Sequence, residues 1–244
     1  MLLFSRVVAG VVGLVLACGQ VAAGPATPGS AASGGPAAAV DPVERAQRRL
    51  NSLGCDSGPV DGVLGDWTRS AVVRFQSRHA LTQSGRLTSA TKSKLYSADA
   101  KRCDARPVPA GSGKGRRLVV SQHQNWLWLV SSHGRVVAQG GLVDNPAELS
   151  PGRYATGPYC GRAGRIKLNS TPDGRLYMDN FVRFAPCGIG FHRIPRYAST
   201  GGQIHPDWLL GTNYRESHGC IRLTSALSLR VWSFTVSRTR VRVV

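Results

Sequence analysis

Arg215-Glu216-Ser217-His218-Gly219-Cys220-Ile221-Arg222-Leu223 sets an imidazole and a thiol two residues apart, with a glycine between them. Cys220 is the last cysteine of the chain, and no histidine follows it. All six histidines (His79, His123, His133, His192, His205, His218) lie upstream. If Cys220 is a nucleophile, its base comes from earlier in the chain. That order argues against cysteine peptidases whose histidine follows the cysteine. A thiol attacks as the thiolate, so a neighbouring imidazole is the partner this chemistry needs. Acyl transfer also needs backbone N–H groups aimed at a developing oxyanion, and a glycine lets the backbone come close to an acyl group.

Outward from this stretch, the second half of the chain reads as mostly β. Arg117-Leu118-Val119-Val120-Ser121 and Trp126-Leu127-Trp128-Leu129-Val130 are short strand-like runs, and Ser132-His133-Gly134 offers a hairpin turn. Thr239-Arg240-Val241-Arg242-Val243 alternates strictly, as a strand with one buried face does. The first half is helical. Asp41 is an N-cap with Pro42 at the first helical position, and Val43, Ala46, Leu50 and Leu53 follow at helical spacing before Gly54. Asp66 is placed to cap a second helix with Trp67, Ala71, Val72 and Phe75 on one face. Thr88 starts a third, ending near Leu95. The fold class expected is α+β. A small three-helix module spans 41–97, a Pro/Gly-rich basic linker 98–116, and a mostly-β domain 117–244.

The N-terminus reads as an export signal over 1–23. Arg6 precedes an apolar run from Val7 to Ala17, too short to span a bilayer comfortably, and small residues follow. Lipidation of Cys18 is the alternative to cleavage before Gly24. Residues 24–40 are an Ala/Gly/Pro/Ser tether. The formal net charge is +18, from 31 basic and 13 acidic residues. Residues 24–116 carry 14 basic and 7 acidic residues, and 117–244 carry 16 and 6, so the field has one sign over both halves. It implies a polyanionic neighbour. Export excludes genomic nucleic acid and leaves the anionic polymers of a bacterial wall. The expected location is secreted, in the wall or at the outer face of the cytoplasmic membrane, with membrane contact only through the signal or a Cys18 lipid. Setting aside Cys18 and Cys220 leaves Cys55, Cys103, Cys160 and Cys187 for two disulfides. Three pairings are open, and proximity favours Cys55–Cys103 with Cys160–Cys187.

Two resemblances join these readings. Gln47, Leu50, Gly54, Asp61-Gly62, Gly65, Thr68, Ala71-Val72, Phe75-Gln76, Leu81, Gly85, Thr91 and Leu95 resemble a small helical peptidoglycan-binding module. The polar groups around Asp61 and Gln76 would then be its contacts to glycan or stem peptide. Ser217-His218-Gly219-Cys220-Ile221-Arg222, with Gly188-Ile189-Gly190-Phe191-His192 upstream, resembles the L,D-transpeptidase (YkuD-type) catalytic domain over 117–244. Asn145-Pro146 with Leu149-Ser150-Pro151-Gly152 loosely resembles that family's strand turn.

This second resemblance implies a cysteine acyltransferase that cross-links peptidoglycan stems and needs no metal or cofactor. Cys220 would attack the donor stem tetrapeptide at its third residue and release D-Ala. His192 would be the general base, oriented by the Arg193 carbonyl. The amides of Gly219 and Cys220 would hold the oxyanion. His218 would shape the pocket or assist proton transfer, Ser217 would position the turn, and Arg222 would order the loop or meet a substrate carboxylate. The 24 residues between His192 and Ser217 exceed the family's usual gap, so Ile194 to Asn213 is expected to be a lid or substrate wall. His205 is the alternative base. L,D-carboxypeptidase hydrolysis is an alternative outcome of the same site. Two other readings compete: a zinc peptidase using His192, His205 or Asp207, His218 and Cys220, and a non-catalytic wall-binding protein. The first lacks a helical His-spacing motif.

Overall fold

The computed structural model describes residues 40–214 and 217–244. The expected signal, the Cys18 lipid site and nearly all of the tether lie outside the described residues. The fold is α+β.

Three helices come first: α1 (Pro42–Ser52), α2 (Asp66–Arg78) and α3 (Ser89–Leu95). The Asp41 carboxylate accepts from the amides of Val43 and Glu44, satisfying two of the orphan donors of α1. Thr88 caps α3 in the same way through the Thr91 amide. The residue before α2 is Gly65, which offers no side-chain cap, so Asp66 falls inside the helix and not at its cap as expected. There its charge complements the helix N-terminus. Leu50, Ala71, Val72, Phe75 and Leu95 form the core of the three helices, closed by the Cys55–Cys103 disulfide.

Two sheets follow. The first has strand order β3-β2-β1-β10-β4, from β1 (Arg117–Ser121), β2 (Trp126–Val130), β3 (Val136–Gly141), β4 (Gly152–Ala155) and β10 (Arg240–Val243). The second runs β5-β6-β7-β9, from β5 (Arg165–Ser170), β6 (Leu176–Arg183), β7 (Gly190–Arg193) and β9 (Ile221–Leu223), with β8 (Arg196–Tyr197) on the edge of β6. Alternation along each strand decides the core. Leu118, Val120, Leu127, Leu129, Val241 and Val243 face inward against Phe191, Ile221 and Leu223 of the other sheet and Phe184 just after β6.

A fourth helix, α4 (Ser225–Phe234), packs into the same core through Leu227 and Val231. It was not expected. Thr224 caps it by accepting from the Leu227 amide, but its apolar residues make no strong one-sided stripe.

β2 is buried on both faces, which explains a run of apolar residues without alternation. Its outer face carries Trp126, Trp128 and Val130, and the chain just after the Cys103 disulfide lies across it. The Trp128 indole donates to the Arg106 carbonyl at 2.9 Å. The Arg106 guanidinium lies 4.1 Å from the Trp126 ring centroid, donates to the carbonyls of Cys103, Gln124 and Arg74, and also reaches Ser77. The stretch expected as a linker therefore places a buried arginine between α2 and the first sheet.

Candidate active site

β7 and β9 run side by side in parallel, with His192 paired to Arg222. Cys220 immediately precedes β9. Side chains two apart on a strand share a face, so Cys220 and Arg222 lie on the side of the sheet that His192 occupies. The two strands thus place on one face of the sheet a thiol and an imidazole 28 residues apart in sequence.

His192 is 2% exposed. Its Nδ1 lies 2.5 Å from the Arg193 carbonyl, the acceptor the resemblance implied. A carbonyl only accepts, so this contact assigns the proton to Nδ1 and leaves the lone pair on Nε2. The ring stacks against Phe181 at a centroid distance of 5.9 Å. Burial pushes the imidazole pKa down to about 4, the Arg193 carbonyl opposes that, Arg222 lowers it further, and Asp179 raises it. His192 is therefore a neutral imidazole at pH 7.

Cys220 is the free cysteine among the described residues, and it is half-buried. Its Sγ donates to the Gly188 carbonyl at 3.4 Å. Burial pushes the thiol above its ordinary value. A hydrogen bond from the Gly190 backbone, and then the charges of Arg222 and Arg183, pull the other way. Arg183, on β6, was missed by sequence reasoning, because nothing in a strand sequence marks a buried guanidinium. It is 2% exposed, and its Nη1 has no hydrogen-bond partner. The Cys160–Cys187 disulfide fixes the chain just before Gly188, whose carbonyl receives the thiol.

The turn before Cys220 is tied at three points. Ser217 Oγ donates to the Cys220 carbonyl at 2.7 Å and accepts from the Gly219 amide at 3.1 Å. Asn145 Nδ2 donates to the Ser217 carbonyl at 2.9 Å. Asn145 sits in the segment likened above to the family's strand turn, and this bond gives it a physical role. Gly219 has φ +91°, and a Cβ there would lie 3.0 Å from Ile189 Cδ1 and 3.1 Å from Glu148 Cβ. Only glycine fits that conformation in that space. The Gly219 amide, expected to face an oxyanion, donates here to Ser217 Oγ. In this conformation its donor stabilises the turn.

His218 is exposed and adjoins this turn. Arg222 is buried, and its backbone bridges Val143 through both its N–H and its carbonyl. His205, the alternative base, is buried: its Nδ1 lies 3.1 Å from the Pro206 carbonyl and its ring meets Tyr214 edge-on. Among the described residues no group of three or more His, Cys, Asp or Glu side chains is placed to hold a metal ion, so the zinc-ligand grouping does not assemble.

Ile194 to Asn213 has its own apolar contacts, with Ile194 and Leu210 packed on Val143. Arg74 on α2 donates to the carbonyls of Trp208 and Leu210, and Asn213 Nδ2 donates to the Gln83 carbonyl at 3.0 Å. The segment is held against the helical module by these bonds.

The two expected ligand contacts of that module are placed differently. Gln76 is 1% exposed. Its amide nitrogen donates to Ser84 Oγ, the Arg86 carbonyl and Thr91 Oγ1, and its oxygen accepts from the Gly85 amide. It is a core residue, and its expected contact with ligand is corrected. Asp61 is at the surface, and Oδ1 accepts from Gln47 Nε2 at 2.7 Å and from the Val63 amide at 2.9 Å. The Gln47 hydrogen bond is the main cause holding its carboxylate below the usual range. Gln47 does for the first loop what Gln76 does for the second, reaching Thr68 Oγ1 of the next helix.

Comparison with known families gives two matches. Residues 40–95 match a peptidoglycan binding domain, and residues 105–243 match the L,D-transpeptidase catalytic domain. Among solved structures, an L,D-transpeptidase from Xylanimonas cellulosilytica is similar at 24% identity and TM-score 0.47, over 83% of this chain and 92% of that one. An L,D-transpeptidase from Stackebrandtia nassauensis is similar at 19% identity and TM-score 0.41, over 83% and 90%. The catalytic domain of the E. faecium L,D-transpeptidase is similar at 18% identity and TM-score 0.38, over 55% and 100%. A comparison with curated proteins gave no match.

Proposed function

Because the chain belongs to the L,D-transpeptidase catalytic-domain family, we propose that it is a peptidoglycan L,D-transpeptidase working through a thioester on Cys220. The observation that carries this reading is the parallel β7–β9 pair. It supports the reading because Cys220 shares a sheet face with a buried His192 whose Nδ1 is committed to the Arg193 carbonyl. Nε2 is then the basic nitrogen facing the chemistry.

A raised thiol and a lowered imidazole leave both groups neutral at rest. The proton therefore moves during attack, from Sγ to Nε2, and no thiolate–imidazolium pair is needed beforehand. The S–C bond forms at the carbonyl of the third stem residue. The proton passes from Nε2 to the departing amine as the C–N bond to D-Ala breaks. An acceptor amine then attacks the thioester, gives its proton to Nε2, and restores the thiol. Arg222 and Arg183 favour negative charge at sulfur while it develops. With the Gly219 amide held by Ser217, the Cys220 amide is the oxyanion donor in this reading. Water as acceptor gives the carboxypeptidase outcome from the same thioester.

The helical module supports peptidoglycan as the polymer bound, and the two disulfides suit an extracytoplasmic site. No helix of the described residues is long and apolar enough to cross a membrane. Export through residues 1–23 is part of this proposal. Intact-protein mass spectrometry tests the intermediate. On mixing with a disaccharide-tetrapeptide, the chain should gain the donor mass less D-Ala, on Cys220. Absence of any adduct under turnover conditions, or an adduct elsewhere, would contradict it.

A further inference from the structure

Away from the thiol, the outer face of the first sheet changes character halfway across. On β2 that face is tryptophan and valine, covered by the chain after Cys103. Beyond Val119 of β1 it turns to arginine, at Arg117 of β1, Arg240 and Arg242 of β10 and Arg153 of β4. Arg117 pairs directly with Arg240, and Arg242 pairs directly with Arg153. Like charges opposed across strands destabilise a sheet. Arg117, Arg153, Arg240 and Arg242 line, with Lys114, a pocket of about 200 Å³ that has no carboxylate in its wall. None of the five takes part in the ion pairs found among the described residues.

The pocket is built, not merely basic. Arg117 is 8% exposed, with Nη1 donating to the Gly115 carbonyl and Nη2 to Ser112 Oγ, while its buried Nε has no partner. Arg240 Nη2 donates to the Lys114 carbonyl at 2.9 Å. These bonds hold a loop in which Gly111, Gly113 and Gly115 have φ of +74°, +94° and +72°. At Gly111 and Gly113 a Cβ would meet nothing within 4 Å, so backbone conformation and not space accounts for them. Burial and the charge of Arg240 both weigh against protonated Arg117, a cost that a bound anion would offset.

The geometry points to a binding site for the phosphodiester groups of an anionic polymer at Arg117, Arg153, Arg240, Arg242 and Lys114. Guanidinium forks match tetrahedral phosphate oxygens. A pocket this small holds one anionic group, and the exposed Arg153 and Arg240 beside it suit the next charge of a repeating chain. The site is separate from the thiol chemistry, so its test does not depend on turnover.

Calorimetric titration of the full chain with poly(glycerol phosphate) should show binding that weakens with salt. The double variant Arg153→Gln/Arg242→Gln removes the directly opposed outer pair. Near-UV circular dichroism checks that it folds. It should lose affinity about tenfold or more, and the charge-matched double variant Arg175→Gln/Arg230→Gln, at exposed sites elsewhere, should stay within about twofold. Equal losses in the two variants would mean a diffuse field and overturn the site. So would no binding by the wild type, or binding to phosphatidylglycerol vesicles without binding to the polymer.

Discussion

Nη1 of Arg74 donates to the backbone carbonyl of Trp208 at 2.5 Å, across 134 residues of chain. The same guanidinium reaches the carbonyls of Leu210, Cys55 and Asp56. It is 6% exposed and makes no ion pair among the described residues. Burial lowers its pKa to about 10, which still leaves it charged at pH 7. Four carbonyl dipoles therefore hold a buried cation between the helical module and the segment that precedes Ser217.

Replacing Arg74 should loosen both partners. Arg74→Met leaves buried carbonyls unsatisfied and should cost about 3–4 kcal/mol in urea unfolding. Arg74→Lys keeps the charge but not the fork and should recover less than half of that. A lysine variant within about 0.5 kcal/mol of wild type would show that charge alone matters there.

His192 should give the enzyme an acid limb well below that of an ordinary histidine. Its pKa is about 4 in the fold and 6.5 in the unfolded chain. The base stays neutral as pH falls through 6.5, so kcat/KM should hold to about pH 5. The linkage has the same sign. Above pH 6.5 both states are neutral and nothing changes. Between 6.5 and 4 the unfolded chain takes up a proton the fold refuses, and stability falls by about 3 kcal/mol before levelling off. A His192→Gln variant should lose that slope. An unchanged slope would mean that other groups carry it.

Gly219→Ala should be severely slowed and only moderately destabilised. The added Cβ meets Ile189 and Glu148 in a backbone conformation that side chains rarely adopt. The cost is about 1–3 kcal/mol, while the displaced turn should lower kcat about 100-fold or more. Alanine tolerated within about threefold would show that the turn adapts.

Cys55→Ala/Cys103→Ala opens a loop of 48 residues and should cost about 4 kcal/mol in the chain-entropy model. Arg106 donates to the Cys103 carbonyl, so the loss should also loosen Trp126 beneath it. Tryptophan fluorescence should shift along with the unfolding midpoint. A shifted midpoint with unchanged fluorescence would separate the two.

Much of this was legible in the sequence, for reasons that can be named. Asp41-Pro42 carries its own capping chemistry, and the strict alternation from Arg240 to Val243 marks its buried face. The motifs around His192 and Cys220 fall on strand β7 and at the start of its partner β9. What stayed hidden depends on burial. Gln76 looks like a surface amide in sequence, yet it closes a loop from the core. Arg74, Arg106 and Arg183 look like three more charges of a basic chain. The helix from Ser225 to Phe234 lacks the one-sided stripe that periodicity detects, since packing on two sheets and the Thr224 cap specify it. The hydrogen bond from the Gly219 amide goes to a side-chain oxygen two residues away, which spacing cannot show.

The most direct test of the central claim is product analysis by mass spectrometry. The full chain and its Cys220→Ala variant would be incubated with disaccharide-tetrapeptides. A cross-linked dimer lacking one D-Ala, made by the wild type and absent with the variant, is the predicted result. Dimer formation undiminished in Cys220→Ala would contradict the account.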